Sequence, residues 1–170
     1  ERAEEFGMNI SAPVNADLGT SSDTAVINDE KDGNDVPKEG DKPTVSIEAT
    51  DDTAVEGVDN TIAFEISQTN LSNFDTKVTA KLDLDEIELE DISAITYTDA
   101  AGNTTTLTSA QITALTDGTG LEVTIPAGSN GKPVFTITAV DDTIYERAEE
   151  FGMNISAPVN ADLGTSSDTA

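Results

Sequence analysis

The sequence predicts an all-β protein, and three observations carry that prediction. Several segments alternate apolar and polar residues with period two, turn residues separate them at short intervals, and helical periodicity shows in one stretch only. Thr44–Thr50 places Val45, Ile47 and Ala49 on one face, and Thr61–Gln68 does the same with Ile62, Phe64 and Ile66. Lys77–Leu84 aligns Val78, Ala80, Leu82 and Leu84, and Leu121–Ile125 aligns Leu121, Val123 and Ile125. Pro133–Val140 offers Phe135, Ile137 and Ala139 as its core face, opposite Val134, Thr136 and Thr138; Glu150–Ser156 and Asp168–Ala170 supply two further strands. Such half-buried strands suit antiparallel sheets. Between them lie Gly57-Val58-Asp59-Asn60, Asn70–Asp75, Gly102-Asn103, Gly118–Gly120 and Gly128–Gly131, all turn chemistry. Thr108–Leu115 has a Thr/Ser start, apolar residues at helical spacing and an Asp117-Gly118 stop, which predicts a short helical turn near 109–116. About seven short strands with regular turns predict an immunoglobulin-like antiparallel β-sandwich of two sheets.

The domain organisation follows from a repeat. Residues Glu1–Ala25 (ERAEEFGMNISAPVNADLGTSSDTA) recur letter for letter as Glu146–Ala170, at an offset of 145 residues. An interval of that length is domain-sized, far beyond the ~20–50 residues of solenoid repeats. The expected parent is therefore a series of near-identical domains. Residues 31–43 (KDGNDVPKEGDKP) have the Gly, Pro and charge content of a linker. Residues 1–30 are then the C-terminal strands of a preceding repeat, truncated at its start. Residues 44–170 are a nearly complete repeat lacking the end of its last strand, because the first copy continues after Ala25 with Val26-Ile27-Asn28-Asp29-Glu30. Strands encoded twice in one chain also raise head-to-tail association by strand exchange.

Composition excludes several functions. There is no Cys and no His, hence no disulfide, no thiolate or imidazole metal site and no histidine base. Lys and Arg total 8 against 34 Asp and Glu, a formal charge of −26, which would repel nucleic acid. No apolar run approaches the ~18 residues of a membrane span, so direct membrane insertion is not expected. Net charge this high with few aromatics favours disorder, but the alternating strands and a 36% apolar fraction support a core. The expected state is a folded domain whose stability depends on a bound cation.

The segment Val140-Asp141-Asp142-Thr143-Ile144-Tyr145-Glu146, followed by Glu149-Glu150-Phe151, Ile155-Ser156, Pro158 and Ala161-Asp162-Leu163-Gly164, resembles the Calx-β motif. Val26-Ile27-Asn28-Asp29-Glu30 resembles the acidic end of that family's last strand, Leu121–Gly128 with Pro133–Val140 its preceding hairpin, and Val55-Glu56-Gly57 its early Glu-Gly. Residues 91–120 depart from the short Calx-β form and are similar instead to the immunoglobulin-like extender repeats of large bacterial RTX-type biofilm adhesins. The resemblance implies a calcium-stiffened repeat of a protein exported by type I secretion to the bacterial cell surface. The glycine-rich nonapeptide of RTX proteins is absent from this sequence.

Strand direction sorts the acidic residues independently. If consecutive strands alternate up and down, the chain near Asp51, Asp52 and Glu56, near Asp85–Asp91, and at Asp141-Asp142 reaches one pole of the sandwich. The Asp29-Glu30 end of the preceding copy is the equivalent point on the last strand. Clustered carboxylates with no sulfur or imidazole suit a hard cation taking ~6–8 oxygen ligands, so several Ca2+ ions are expected. The ligand candidates in the second repeat are Glu56, Asp91, Asp141, Asp142 and Glu146. Glu1, Asp29 and Glu30 are counterparts in the first copy, and Asp32, Asn34 and Asp35 are candidates in the linker. The sequence thus predicts a structural spacer in a secreted adhesin, with adjacent identical repeats as partners. The alternative is a calcium-dependent glycan- or protein-binding module, which needs an exposed aromatic platform; the chain has five Phe, two Tyr and no Trp. Hydrolysis by paired carboxylates is not expected, because these acids sit among other acids in polar turns, without an apolar pocket to raise one pKa.

Overall fold

Period-two alternation is realised as strands in the computed structural model, which describes residues 3–28, 30–31, 37–38, 40–143 and 147–170, with only the backbone of 30–31 and 37–38. The chain divides into two compact units, Glu1–Lys42 and Pro43–Ala170. In the first, β1 (Glu4–Asn9) and β2 (Ser22–Ile27) form an antiparallel hairpin, and β3 (Glu30–Lys31) and β4 (Pro37–Lys38) form a two-residue ladder. Every residue of β1 and β2 is exposed, Phe6, Met8, Val26 and Ile27 included, so this hairpin has no core of its own.

The second unit is an immunoglobulin-like β-sandwich. Its strands are β5 (Thr44–Asp51), β6 (Thr61–Gln68), β7 (Thr76–Asp83), β8 (Ile92–Thr98) and β9 (Thr104–Thr106), followed by helix α1 (Ser109–Thr116). Then come β10 (Leu121–Ile125), β11 (Val134–Ala139), β12 (Gly152–Val159), β13 (Asp162–Leu163) and β14 (Ser167–Thr169). One sheet has the order β10-β7-β12-β14, the other β13-β5-β6-β11-β8-β9. All pairings are antiparallel except β13 with β5. The inward faces are those the alternation predicts. Val45, Ile47, Phe64, Ile66, Phe135 and Ile137 of the larger sheet form one buried cluster with Val78, Ala80, Leu82, Val123, Met153 and Ile155 of the smaller. Phe151, at the head of β12, meets Phe64 edge to face at a centroid distance of 6.0 Å, a favoured aromatic geometry.

The described residues of this unit hold more than the seven strands expected. Residues 91–120, read from sequence as an insert, supply β8 and β9, with Ile95 fully buried opposite Ile137 and Tyr97 stacked near Phe135. Their alternation is broken by a bulge, where Thr138 pairs with Ala94 and Ala139 with Ile92, so that Ile92 packs on the core and Ser93 between them is exposed. Helix α1 forms as predicted: Thr108 caps it by accepting a hydrogen bond from Gln111 N, and Leu115 is buried where the helix packs on β7 and β10. It carries the chain from the edge of one sheet to the edge of the other. On the opposite side, residues 162–168 make the same transition. Gly164 N donates to Val45 O (2.8 Å), Ile47 N to Thr165 O (3.0 Å), and Ala49 N to Asp168 Oδ2 (2.9 Å), so the free edge of β5 is covered. Thr76 begins β7 one residue earlier than expected, and β12 starts at Gly152 rather than Glu150.

Candidate metal centre

The ends of β5, β7 and β11 and the starts of β6, β8 and β12 meet at one pole, as the direction argument requires. Asp83, the last residue of β7, pairs with Gly152, the first of β12, so the acidic chain after β7 lies beside Glu149-Glu150. A 3-10 turn, Leu89–Asp91, then leads into β8. Its geometry is fixed locally: Glu88 N donates to Asp91 Oδ2 at 2.8 Å and Asp91 N to Glu88 O at 3.2 Å. Val140 N donates to Asp91 O (2.8 Å), which tethers the end of β11, and with it Asp141-Asp142, to the same turn. Ala139 N donates to Asn60 O (2.8 Å), tying the start of β6 to the same place.

The result is a group of three carboxylates. One oxygen each of Glu88, Asp91 and Glu149 lies within 4.8 Å of the others; Asp91 is half-buried and its two neighbours exposed. Calcium–oxygen bonds are ~2.3–2.6 Å, so two oxygens on one ion sit at most ~5 Å apart, and the spacing fits a single shared ion. Asp91 and Glu149 also line an open cavity of about 520 Å³ at the pole, together with Asp52, Glu56 and Arg147 on its polar rim. Ile62, Ile87, Ile137 and Phe151 form its apolar floor. The turn through Glu56 is placed by Gly57, whose φ of +69° suits glycine and whose missing Cβ would stand 3.2 Å from Asp141 Oδ1. A side chain there would push Asp141 away from the Glu-Gly turn.

Of the residues selected from sequence, the structure brings Glu56 and Asp91 to one cavity and Asp141 against the neighbouring Gly57. Asp142 is exposed one residue further on, and neither it nor Glu56 nor Asp141 belongs to the close triplet. Glu146, Glu1, Asp29, Asp32, Asn34 and Asp35 lie outside the described residues, as does the side chain of Glu30. Glu88 and Glu149 were missed. The signal for Glu149 was its position just before β12, which must start where β7 ends; for Glu88 it was the three-residue spacing to Asp91, which lets one turn hold both.

No protein-family model matches the chain, and no curated protein matches it. No helix among the described residues is long and apolar enough to cross a membrane.

Proposed function

We propose that the 43–170 unit is a calcium-stabilised spacer, one of a series of identical domains in a secreted cell-surface adhesin that projects a distal adhesive region. The observation that carries this reading is the Glu88, Asp91 and Glu149 triplet, with Glu56, Asp52 and Asp141 around it at the same pole. Glu88, Asp91 and Glu149 would hold the ion, which supplies positive charge where the fold has gathered negative charge. Exact recurrence of 25 residues at a domain-sized offset supports tandem repetition. In the reading, Asp29, Glu30, Asp32, Asn34 and Asp35 supply further oxygens at each junction and stiffen it. An ion that binds only the folded state adds RT ln(1 + [Ca]/Kd), about 2.7 kcal/mol at a hundredfold excess. In a low-calcium compartment the same chain would be less stable, which suits export before folding.

The test is small-angle scattering on a chain of two complete repeats, in calcium, in chelator, and with magnesium as control. A long, rigid particle in calcium that becomes flexible or unfolds in chelator is expected. Unchanged dimensions and stability would overturn the spacer reading and leave the acidic pole as a solvated surface.

A further inference from the structure

Residues 162–168 change sheets while lying along β5. They run parallel to it, with Asp162 opposite Thr44 and Leu163 opposite Val45. Asp162 N donates to Pro43 O (2.8 Å), Gly164 N to Val45 O (2.8 Å) and Ile47 N to Thr165 O (3.0 Å). Two side chains extend this seam: Thr165 N donates to Ser46 Oγ at 3.1 Å, and Ala49 N to Asp168 Oδ2 at 2.9 Å. The Asp168 carboxylate stands in for a backbone acceptor there, because from Ser166 onward the backbone has crossed to β12. Ile155 N donates to Ser166 O (2.8 Å), and Asp168 pairs with Met153. The approach at residue 164 is close enough to need glycine, since a Cβ there would stand 2.8 Å from Thr44 Cγ2 and collide with Ser46 Oγ.

Strand direction decides how this seam meets a pulling force. β5 starts at the pole opposite the acidic one and runs toward it; β14, antiparallel to β12, runs toward the acidic pole as well. The chain therefore enters the unit through Pro43 at one pole and passes through Thr169 at the other, and the two segments that do so are bonded side by side. Tension along the chain draws β5 out past the first pole and 162–169 out past the second. The two slide against each other, and all the bonds of the seam share the load. A ladder opened from one end instead loses its bonds one after another, at a much lower force. Neither segment can leave singly, because β5 is also paired with β6 and β14 with β12.

We propose that the seam between β5 and residues 162–168 is the tension-bearing clamp of the unit: force passes from β5 straight to 162–168 in shear, and Asp168 closes the clamp next to the point where the load arrives. The need for such a clamp rests on the spacer reading, in which the unit is a link in a chain under tension. Its geometry does not, since no residue of the seam belongs to the Glu88, Asp91 and Glu149 triplet.

The experiment pulls the full chain in optical tweezers, in calcium, through pairs of engineered cysteines, of which the native chain has none. Lys42→Cys with Thr169→Cys, both at exposed positions, loads the seam in shear. Lys42→Cys with Asp162→Cys, exposed and opposite Thr44, peels the seam from one end. Forced unfolding reads the unfolding rate rather than equilibrium stability, so the two geometries compare one fold with itself. Shear should need a several-fold higher force than peeling. Adding Asp168→Ala should lower the shear force and leave the peeling force unchanged, because peeling reaches the Ala49 bond last. Asp168→Asn, whose amide oxygen still accepts, should restore most of the shear force. Equal forces in the two geometries, or a loss in Asp168→Ala that is the same in both, would overturn the clamp. The calcium response of a two-repeat chain is a separate readout: a unit without the directional difference can still be a stiff spacer, and the directional difference stands without the calcium response.

Discussion

Replacing Asp91 by Asn separates the two jobs that its carboxylate holds. One oxygen accepts the Glu88 amide at 2.8 Å, and the group also stands in the triplet with Glu88 and Glu149. An amide oxygen still accepts that hydrogen bond but brings no charge. In chelator, therefore, the variant should be at least as stable as the native chain, because removing one of three like charges relieves ~1 kcal/mol of repulsion at these solvent-facing positions. In calcium the order should reverse. At a hundredfold excess over Kd the native chain gains about 2.7 kcal/mol, which raises Tm by roughly 10 °C at about 4 °C per kcal/mol for a domain of this size. A tenfold weaker site in Asp91→Asn removes ~1.4 kcal/mol of that gain, or about 5 °C. Calorimetry in calcium, chelator and magnesium at matched ionic strength reads all of these. Equal calcium shifts in variant and native chain would refute the assignment of Asp91 as a ligand. A native chain whose Tm ignores calcium would refute the site.

Three further outcomes test the fold itself. Phe64→Ala removes a fully buried ring in contact with Phe151 and should cost ~3–5 kcal/mol as a lower urea midpoint; a loss below ~1 kcal/mol would contradict the cross-sheet packing. Gly120 has φ +82°, and a Cβ there would collide with Thr79 Cγ2 and lie 2.9 Å from Ala80 O, whereas Gly128 (φ +71°) faces open space. Gly128→Ala should cost only left-handed strain, ~1–2 kcal/mol, and Gly120→Ala clearly more; equal costs would refute the close approach of residue 120 to β7. Asp99 is held below its ordinary value of 3.8, first by the Asn103 side chain and then by the Asn103 amide and those of Ala101 and Gly102. A depressed folded pKa stabilises above the unfolded value and loses that contribution as pH falls through the folded one. Amide exchange at Ala101 and Asn103, whose N–H groups donate to Asp99 Oδ1, should therefore rise only below about pH 3.8, and Asp99→Asn should remove the dependence.

Where one face of a strand is buried, the sequence was enough. Val45 with Ile47, Phe64 with Ile66, and Phe135 with Ile137 are inward as their alternation predicts, and Thr108 starts the helix as its hydroxyl predicts. Where neither face is strongly apolar the pattern fails. Thr104–Thr106 is exposed throughout and owes its strand to pairing with Thr96–Thr98; Asp162–Leu163 owes its own to the uncovered edge of β5. The pole was legible as a direction argument because antiparallel order fixes which strand ends meet. Its closest members were not, since the approach of Glu149 to Asp91 depends on the register of β12 against β7, which no local pattern encodes.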